Sequence, residues 1–381
     1  MKQIYFDHAA TTPTDPAVAA AMVDYMTQDF GNPSSPHSFG RKVRPAVRKA
    51  RQQIASLIGA KTEEIFFTSG GSESDNWALK GIAFAQKEKG RHIITTAIEH
   101  HAVLHTCQWL ERQGFEITYL PVDEDGMVRL KDVEAAIRPE TILISVMFAN
   151  NEVGTIEPIA QIGALAHEKN IYFHTDAVQA AGHVEIDVEA MHIDLLSLSG
   201  HKFYGPKGIG VLYIRHGVKI ETMQQGGSQE KGMRAGTENT PAIVGIGLAA
   251  ELAEKELTDQ SMRLEKMRDD LIEGIEASIS GVRLNGSRTK RLPGNVHFSF
   301  SEVSGEALLM ALDMKGAAVA SGSACTSGSL DPSHVLLALG LDEEMAGGSI
   351  RISIGQSTTP DDIRYLLDIL PGIIERIRNL K

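Results

Sequence analysis

Between about residue 60 and residue 215, short apolar runs alternate with amphipathic stretches. Ile65–Thr68, His92–Thr96, Ile117–Leu120, Ile142–Met147, Ile171–His174, Leu195–Ser199 and Ile209–Ile214 predict strands, most of them without the polar alternation of a half-exposed strand. Ser72–Gln86, His101–Arg112, Leu130–Ile137 and Ala160–Lys169 carry helical patterns between them. Non-alternating strands separated by helices predict an α/β fold with a mostly parallel sheet covered on both faces. Ligands of such sheets bind at the carboxyl ends of the strands, so the residues just after each strand are where chemistry is expected.

After Gly226 the texture changes. A long polar loop, GGSQEKGMRAGTENTP, leads into a helix over about Ala242–Glu256, and the charged, helical Asp259–Ser278 reads as a connector. Beyond it, Val296–Ser301, Ala317–Ala320 and Ile350–Ile354 predict strands, with helices near Gly305–Met314 and Pro360–Asn379. This second unit is smaller and of the α+β kind.

Composition narrows the function classes. The 381 residues hold 42% hydrophobic and 23% charged side chains, which excludes a disordered chain. The 37 Lys+Arg against 49 Asp+Glu leave a net charge of −12, dispersed along the chain, which argues against a nucleic-acid or anionic-membrane partner. Two cysteines, Cys107 and Cys325, make neither a disulfide framework nor a four-cysteine zinc site and point to a reducing compartment. The start MKQIYFDHAATTP reaches Asp7 and His8 before any apolar leader core, and the uncharged stretch Gly316–Leu330 is too rich in Gly, Ser and Ala to span a bilayer. The expectation is a soluble, cytoplasmic protein.

Five places carry candidate chemistry. In IFFTSGGSESDNWALKG a strand runs through Gly70, Gly71 and Ser72 into a helix, offering free N–H groups to an anion, or else a plain strand–helix turn capped by Ser72. It is neither G-x-G-x-x-G nor a Walker loop. Asp176, with Gln179 three residues on, and Lys202 stand at the ends of two separate core strands. Such a pair is a buried ion pair or two parts of a pyridoxal phosphate site, which needs a lysine, an acid for the ring nitrogen and a phosphate cradle. Cys325 lies among Gly, Ser, Ala and Thr with no apolar neighbour, the setting of a reactive thiol; Cys107 sits in a helical pattern suited to packing. His100 and His101 are candidates to stack on a cofactor ring or move protons. His101 and His105 also have i,i+4 metal spacing, but lack the H-E-x-x-H pattern and a third ligand.

DHAATTP (7–13), GNPSSPHSFG (31–40), SGGSESDN (69–76), EHHAV (99–103), NNEVG (150–154), HTDAVQ (174–179), SGHKFYGPKGIG (199–210), RAGTEN (234–239) and SGSACTSGSLDPSHVL (321–336) together resemble the NifS/IscS-type cysteine desulfurases. The likeness runs from residue 4 to past residue 360, and the longer cysteine loop is similar to the first of the two family groups. It implies a pyridoxal-phosphate enzyme of fold type I, like aspartate aminotransferase. A large domain would span 16–255, and a small one would combine 1–15 with 256–381 and carry the cysteine loop at about 321–332.

Carried over by position, Lys202 would bind the cofactor covalently, Asp176 would face its ring nitrogen and Gln179 its phenolic oxygen. Gly71, Ser72, Ser199 and His201 would hold the phosphate, joined by Thr237 from the partner subunit of a homodimer. His100 would stack on the ring and act as a catalytic residue, Asn151 would bind the cofactor, and Asn151 and Arg351 would take the carboxylate of L-cysteine. Cys325 would receive the sulfur as a persulfide, leaving alanine, and pass it to an acceptor, an iron–sulfur scaffold or a tRNA-thiolation enzyme. No resident metal is implied, Cys325 as a transient iron–sulfur ligand aside. His101, where relatives often carry lysine, and Ser72, where threonine is common, depart from the family pattern. The competing readings are another class V aminotransferase, indifferent to Cys325, a selenocysteine lyase, and a scaffold without cofactor.

Overall fold

The computed structural model describes residues 3–321 and 332–380. The chain opens with a short strand β1 (Ile4–Tyr5) and two helices, α1 (Pro16–Thr27) and α2 (Ser38–Leu57). Then β2 (Ile65–Thr68), α3 (Gly71–Gln86), β3 (His92–Thr96), α4 (His101–Glu111), β4 (Glu116–Leu120), α5 (Leu130–Ala136), β5 (Thr141–Ser145), α6 (Ile159–Glu168), β6 (Tyr172–Asp176), β7 (Leu195–Ser199) and β8 (Gly210–Ile214) follow. Seven of these strands form one sheet in the order β2-β8-β7-β6-β5-β3-β4. From β7 to β4 the neighbours run parallel; β8 is antiparallel to both β7 and β2.

The pleat explains why the strands lack a polar, solvent-facing side. Phe66, Ile93, Leu143, Leu195 and Leu212 pack on one face with Trp77 and Cys107. Their chain neighbours Phe67, Ile94, Ile144, Leu196 and Val211 turn to the other, against Val47, Ile54 and Ile246. Successive side chains point to opposite faces, so a strand covered twice has no solvent-facing polar side, and its polar members, such as Ser145, His174 and Ser197, are buried as well. Helices α1 and α2 were not among the sequence expectations, although Val43, Val47, Ala50 and Ile54 make a buried stripe at helical spacing.

Helix α7 (Thr240–Ser278) is one 39-residue helix where a helix and a separate connector were expected. Residues 251–263 contain neither Gly nor Pro, so nothing in the backbone chemistry ends the helix there. The expected division at 255/256 therefore falls inside α7. Its first half buries Ile243 and Ile246 against the large sheet, and its second half buries Leu264, Leu271 and Ile275 in another apolar cluster. That cluster includes strands β9 (Val282–Leu284), β10 (Asn295–Phe300) and β12 (Ser349–Ser353), which form an antiparallel sheet in the order β12-β10-β9. Strand β11 (Ala317–Ala318) pairs in parallel with β1, while α8 (Gly305–Asp313), α9 (His334–Ala338), α10 (Glu343–Gly347) and α11 (Pro360–Arg378) complete the chain.

One buried ion pair ties α2 to the large sheet. Arg51 donates to both Glu230 carboxylate oxygens, at 2.7 and 2.8 Å, and to the Ile65 carbonyl, while Glu230 also accepts the Phe67 N–H at 3.0 Å. Removing one partner leaves the other charge buried and uncompensated. Glu230→Ala is expected to lower stability by about 3–5 kcal/mol, read from the shift in denaturant midpoint at unchanged slope. A change within about 0.5 kcal/mol would show the pair to be dispensable.

Candidate active site

The carboxyl ends of β3, β5, β6 and β7 open on one cleft of about 340 Å³. Its wall brings together Gly71, Ser72, His100, Asn151, Asp176, Gln179, Ser199, His201, Lys202 and Arg351, ten residues singled out from the sequence. Thr237 is exposed and is not part of this wall. Cys325 lies outside the described residues.

Each residue reaches the cleft for a local reason. Helix α3 begins at Gly71 with Gly70 as its cap, no side chain among the described residues caps it, and its first residues, Gly71 and Ser72, line the cleft. A Cβ on Gly71 would lie 2.6 Å from Val178 Cγ2, and one on Gly210 would lie 2.6 Å from the Gly70 Cα. These two glycines let the turn sit tightly against β8 and beside residue 178. Ser199 ends β7, and a single 3₁₀ turn, Gly200–Lys202, carries His201 and Lys202 into the cleft. His100 caps α4, its Nδ1 accepting the Ala102 N–H at 3.1 Å, which leaves the ring proton of the neutral imidazole on Nε2.

Electrostatics separate these groups. Burial pushes the Asp176 carboxyl up to about 6, against the Val178 N–H, which it accepts at 2.9 Å, and the Lys202 charge. Burial first and Lys202 second bring His100 down to about 4, and the same two influences bring His201 to about 4. Both rings are thus neutral near pH 7. Lys202 Nζ donates to the carbonyls of Ala9 and Ala10, at 2.5 and 2.9 Å, and Gln179 Nε2 to the Ala9 carbonyl at 3.0 Å. His201 Nδ1 meets the Thr11 hydroxyl at 3.1 Å.

Arg351, 2% exposed, reaches the cleft from β12. It donates to Asp7 Oδ1 at 2.8 Å and to the Asn151 carbonyl at 2.9 Å, and its Nε has no partner among the described residues. The N-terminal segment thus holds both the lysine and the arginine, a part to which the sequence assigns no chemical role. Asp75 was likewise missed. Cys107, by contrast, is buried among apolar residues of α3 and α4, and burial pushes its thiol upward, as a packing role requires.

The model of the aminotransferase class-V family matches residues 4–366. The chain belongs to this family. Within it, the class V enzyme is 58% identical over 381 residues to "Cysteine desulfurase IscS" of Clostridium botulinum (strain Hall), covering 100% of this chain and 96% of that one. A solved "NIFS-LIKE PROTEIN" superposes with a TM-score of 0.92 at 38% identity over 98% of this chain and 100% of that chain. Another structure, "SspA in complex with cysteine", gives a TM-score of 0.82 at 40% identity, covering 92% and 98%. These relatives place the class V chain among the NifS/IscS-type enzymes of fold type I. No helix of the described residues is long and apolar enough to cross a membrane.

Proposed function

We infer that this protein is a cysteine desulfurase that uses pyridoxal phosphate to convert L-cysteine to L-alanine and a protein-bound persulfide. The observation that carries the reading is the meeting, in one cleft, of Lys202, the buried Asp176 and a helix start led by glycines. Relatives of the same family named cysteine desulfurases support it.

The residues present fit the cofactor. The N–H groups at the start of α3, with Ser72, Ser199 and His201, form a donor set suited to a phosphate, and a Cβ at Gly71 would press on Val178. The Asp176 carboxylate suits a protonated ring nitrogen and Gln179 a phenolic oxygen, while the flat His100 imidazole suits the ring face. Pyridoxal phosphate, when bound there through Lys202, supplies an electron sink for charge developing at the substrate's Cα. Gly71→Ala is expected to weaken cofactor retention roughly ten- to hundredfold, the size of an overpacking penalty. Spectrophotometric titration with pyridoxal phosphate reads this, and wild-type affinity would remove Gly71 from the cradle.

The chain's own residues do the rest. Arg351 and Asn151 bind the substrate carboxylate, Arg351 exchanging its bond to Asp7 for the bidentate pairing that a guanidinium favours. The Lys202 amine takes the Cα proton, and after the sulfur has left, protons are returned at both Cβ and Cα. Cys325, as thiolate, attacks the substrate sulfur: the Cβ–S bond breaks, an S–S bond forms, and the electron pair left on carbon takes up a proton. The balance is L-cysteine plus a thiol giving L-alanine plus a persulfide.

A homodimer would bring Thr237 of one subunit to the phosphate site of the other. The exposed Thr237 and the exposed apolar Val23, Met26, Phe30 and Phe39 support such pairing. An acceptor protein then takes the sulfur, and the two cysteines of the chain suit a reducing, cytoplasmic setting. We also propose a large domain over 16–255 and a small one of 1–15 with 256–381, a division that two of the apolar clusters support, although another joins Ile98, Met147 and Val153 to Val335 and Leu336 across it. With a thiol reductant present, the purified protein is expected to release sulfide and alanine from L-cysteine in equal amounts. Pyruvate, or alanine without sulfide, would overturn the assignment.

A further inference from the structure

A second carboxyl stands behind Asp176. Asp75 lies on the buried stripe of α3 with Ala78, Leu79 and Ile82, is 1% exposed, and also borders the cleft. Donor-capable atoms of Asp75, Asp176 and His100 all lie within 4.8 Å of one another. Two buried carboxylates that close repel strongly enough that one keeps its proton, the pattern of paired acids in which the environments decide which one.

The environments here are unequal. Asp176 accepts a backbone N–H and faces Lys202. Asp75 Oδ1 has no hydrogen-bond partner among the described residues, and its neighbour at 3.7 Å is His174 Nε2. That imidazole brings no charge. Its Nδ1 lies 2.8 Å from the Ser145 hydroxyl and its Nε2 3.1 Å from the Ser197 hydroxyl, and burial holds it down at about 3. Glu99, the third carboxyl at this end of the sheet, is raised by burial to about 8, with Oε1 accepting the Thr96 hydroxyl and the Met147 N–H. Burial first, and the Asp176 charge second, push Asp75 well above the usual carboxylate range, with Ser197 opposing.

We propose that Asp75 is a positioning residue that stays protonated behind Asp176, leaving Asp176 as the single anion available to a cofactor's ring nitrogen. A neutral Asp75 adds no second charge beside Asp176, whose own carboxyl burial already raises to about 6. An ionised Asp75 would repel the charge on Asp176 and pull a proton onto the pair. The proposal rests on the pyridoxal phosphate reading above.

The test uses the purified full chain loaded with pyridoxal phosphate, as wild type, Asp75→Asn and Asp75→Ala. The asparagine keeps shape and neutrality, so cofactor dissociation and the pH transition of the visible band are expected to stay within about threefold and close to wild type. The alanine leaves space beside Asp176 and is expected to weaken retention about tenfold or more. In infrared spectra the protonated-carboxyl C=O band loses intensity in Asp75→Asn. An Asn variant as weak as Ala, or an undiminished carboxyl band, would overturn the proposal. A wild type that takes up no pyridoxal phosphate overturns the functional reading instead, and the infrared comparison still reads the proton on Asp75.

Discussion

Replacing Cys325 by alanine is expected to abolish release of both sulfide and alanine from L-cysteine, a loss of up to about 10⁶-fold of the kind seen when a covalent nucleophile is removed. The substrate carboxylate is held by groups elsewhere in the chain: Arg351 on β12, itself placed by the Asn151 carbonyl and Asp7. Binding is therefore expected to survive, and L-cysteine should still change the visible spectrum of the loaded variant. What is lost is the acceptor for sulfur, because the Cβ–S bond breaks only as the S–S bond forms. Cys107 cannot substitute, since it is buried in α4 and burial keeps its thiol protonated. Single-turnover alanine formation with an intact rate in Cys325→Ala would remove Cys325 from the reaction and favour a lyase or an aminotransferase.

The second large effect belongs to Lys202. Lys202→Ala is expected to lose covalent attachment of the cofactor together with all measurable turnover. The side chain has two tasks in the proposed cycle, and a general base alone contributes about 10²–10⁴-fold. The substitution also removes the two bonds to the Ala9 and Ala10 carbonyls, which hold the N-terminal segment against the cleft. Lys202→Arg keeps a cation that can reach those carbonyls but has no amine that releases its proton near neutral pH, so it should fold and remain inactive. Turnover in either variant, measured as alanine from L-cysteine, would refute the assignment.

The parts of the fold and site that were legible share a physical cause. Strands such as Leu195–Ser199 are covered on both faces, so they lack the polar alternation of a half-exposed strand. Asp176 and Lys202 stood out because a charge ending a core strand demands a partner or a ligand. Gly71 was legible as a helix start after a strand. Asp75 was not, because a carboxyl in SGGSESDN reads as an exposed polar residue until α3 is laid on the sheet and that face is buried. Asp7 was illegible for another reason: its partner Arg351 is 344 positions away, and no local pattern encodes a pairing of that span. The continuity of α7 was open to reading, since residues 251–263 hold no breaker, but the change from apolar to charged texture suggested a boundary.

The pairing of the chain's first strand has a consequence for its biogenesis. Ile4 and Tyr5 bind alongside Ala317 and Ala318, and Asp7 bridges to Ser353, so residues 4–7 wait for partners made about 300 positions later. During synthesis the sheet from β2 to β8 can gather its parallel core while residues 4–12 trail unpaired, and the carbonyls that steady Lys202 arrive only when β11 and β12 have emerged. Contacts of such long sequence separation form late and slowly. A nascent chain, or one cut before β11, is therefore expected to hold a folded sheet with an unfinished lysine pocket, which ties competence for chemistry to the arrival of β11 and β12.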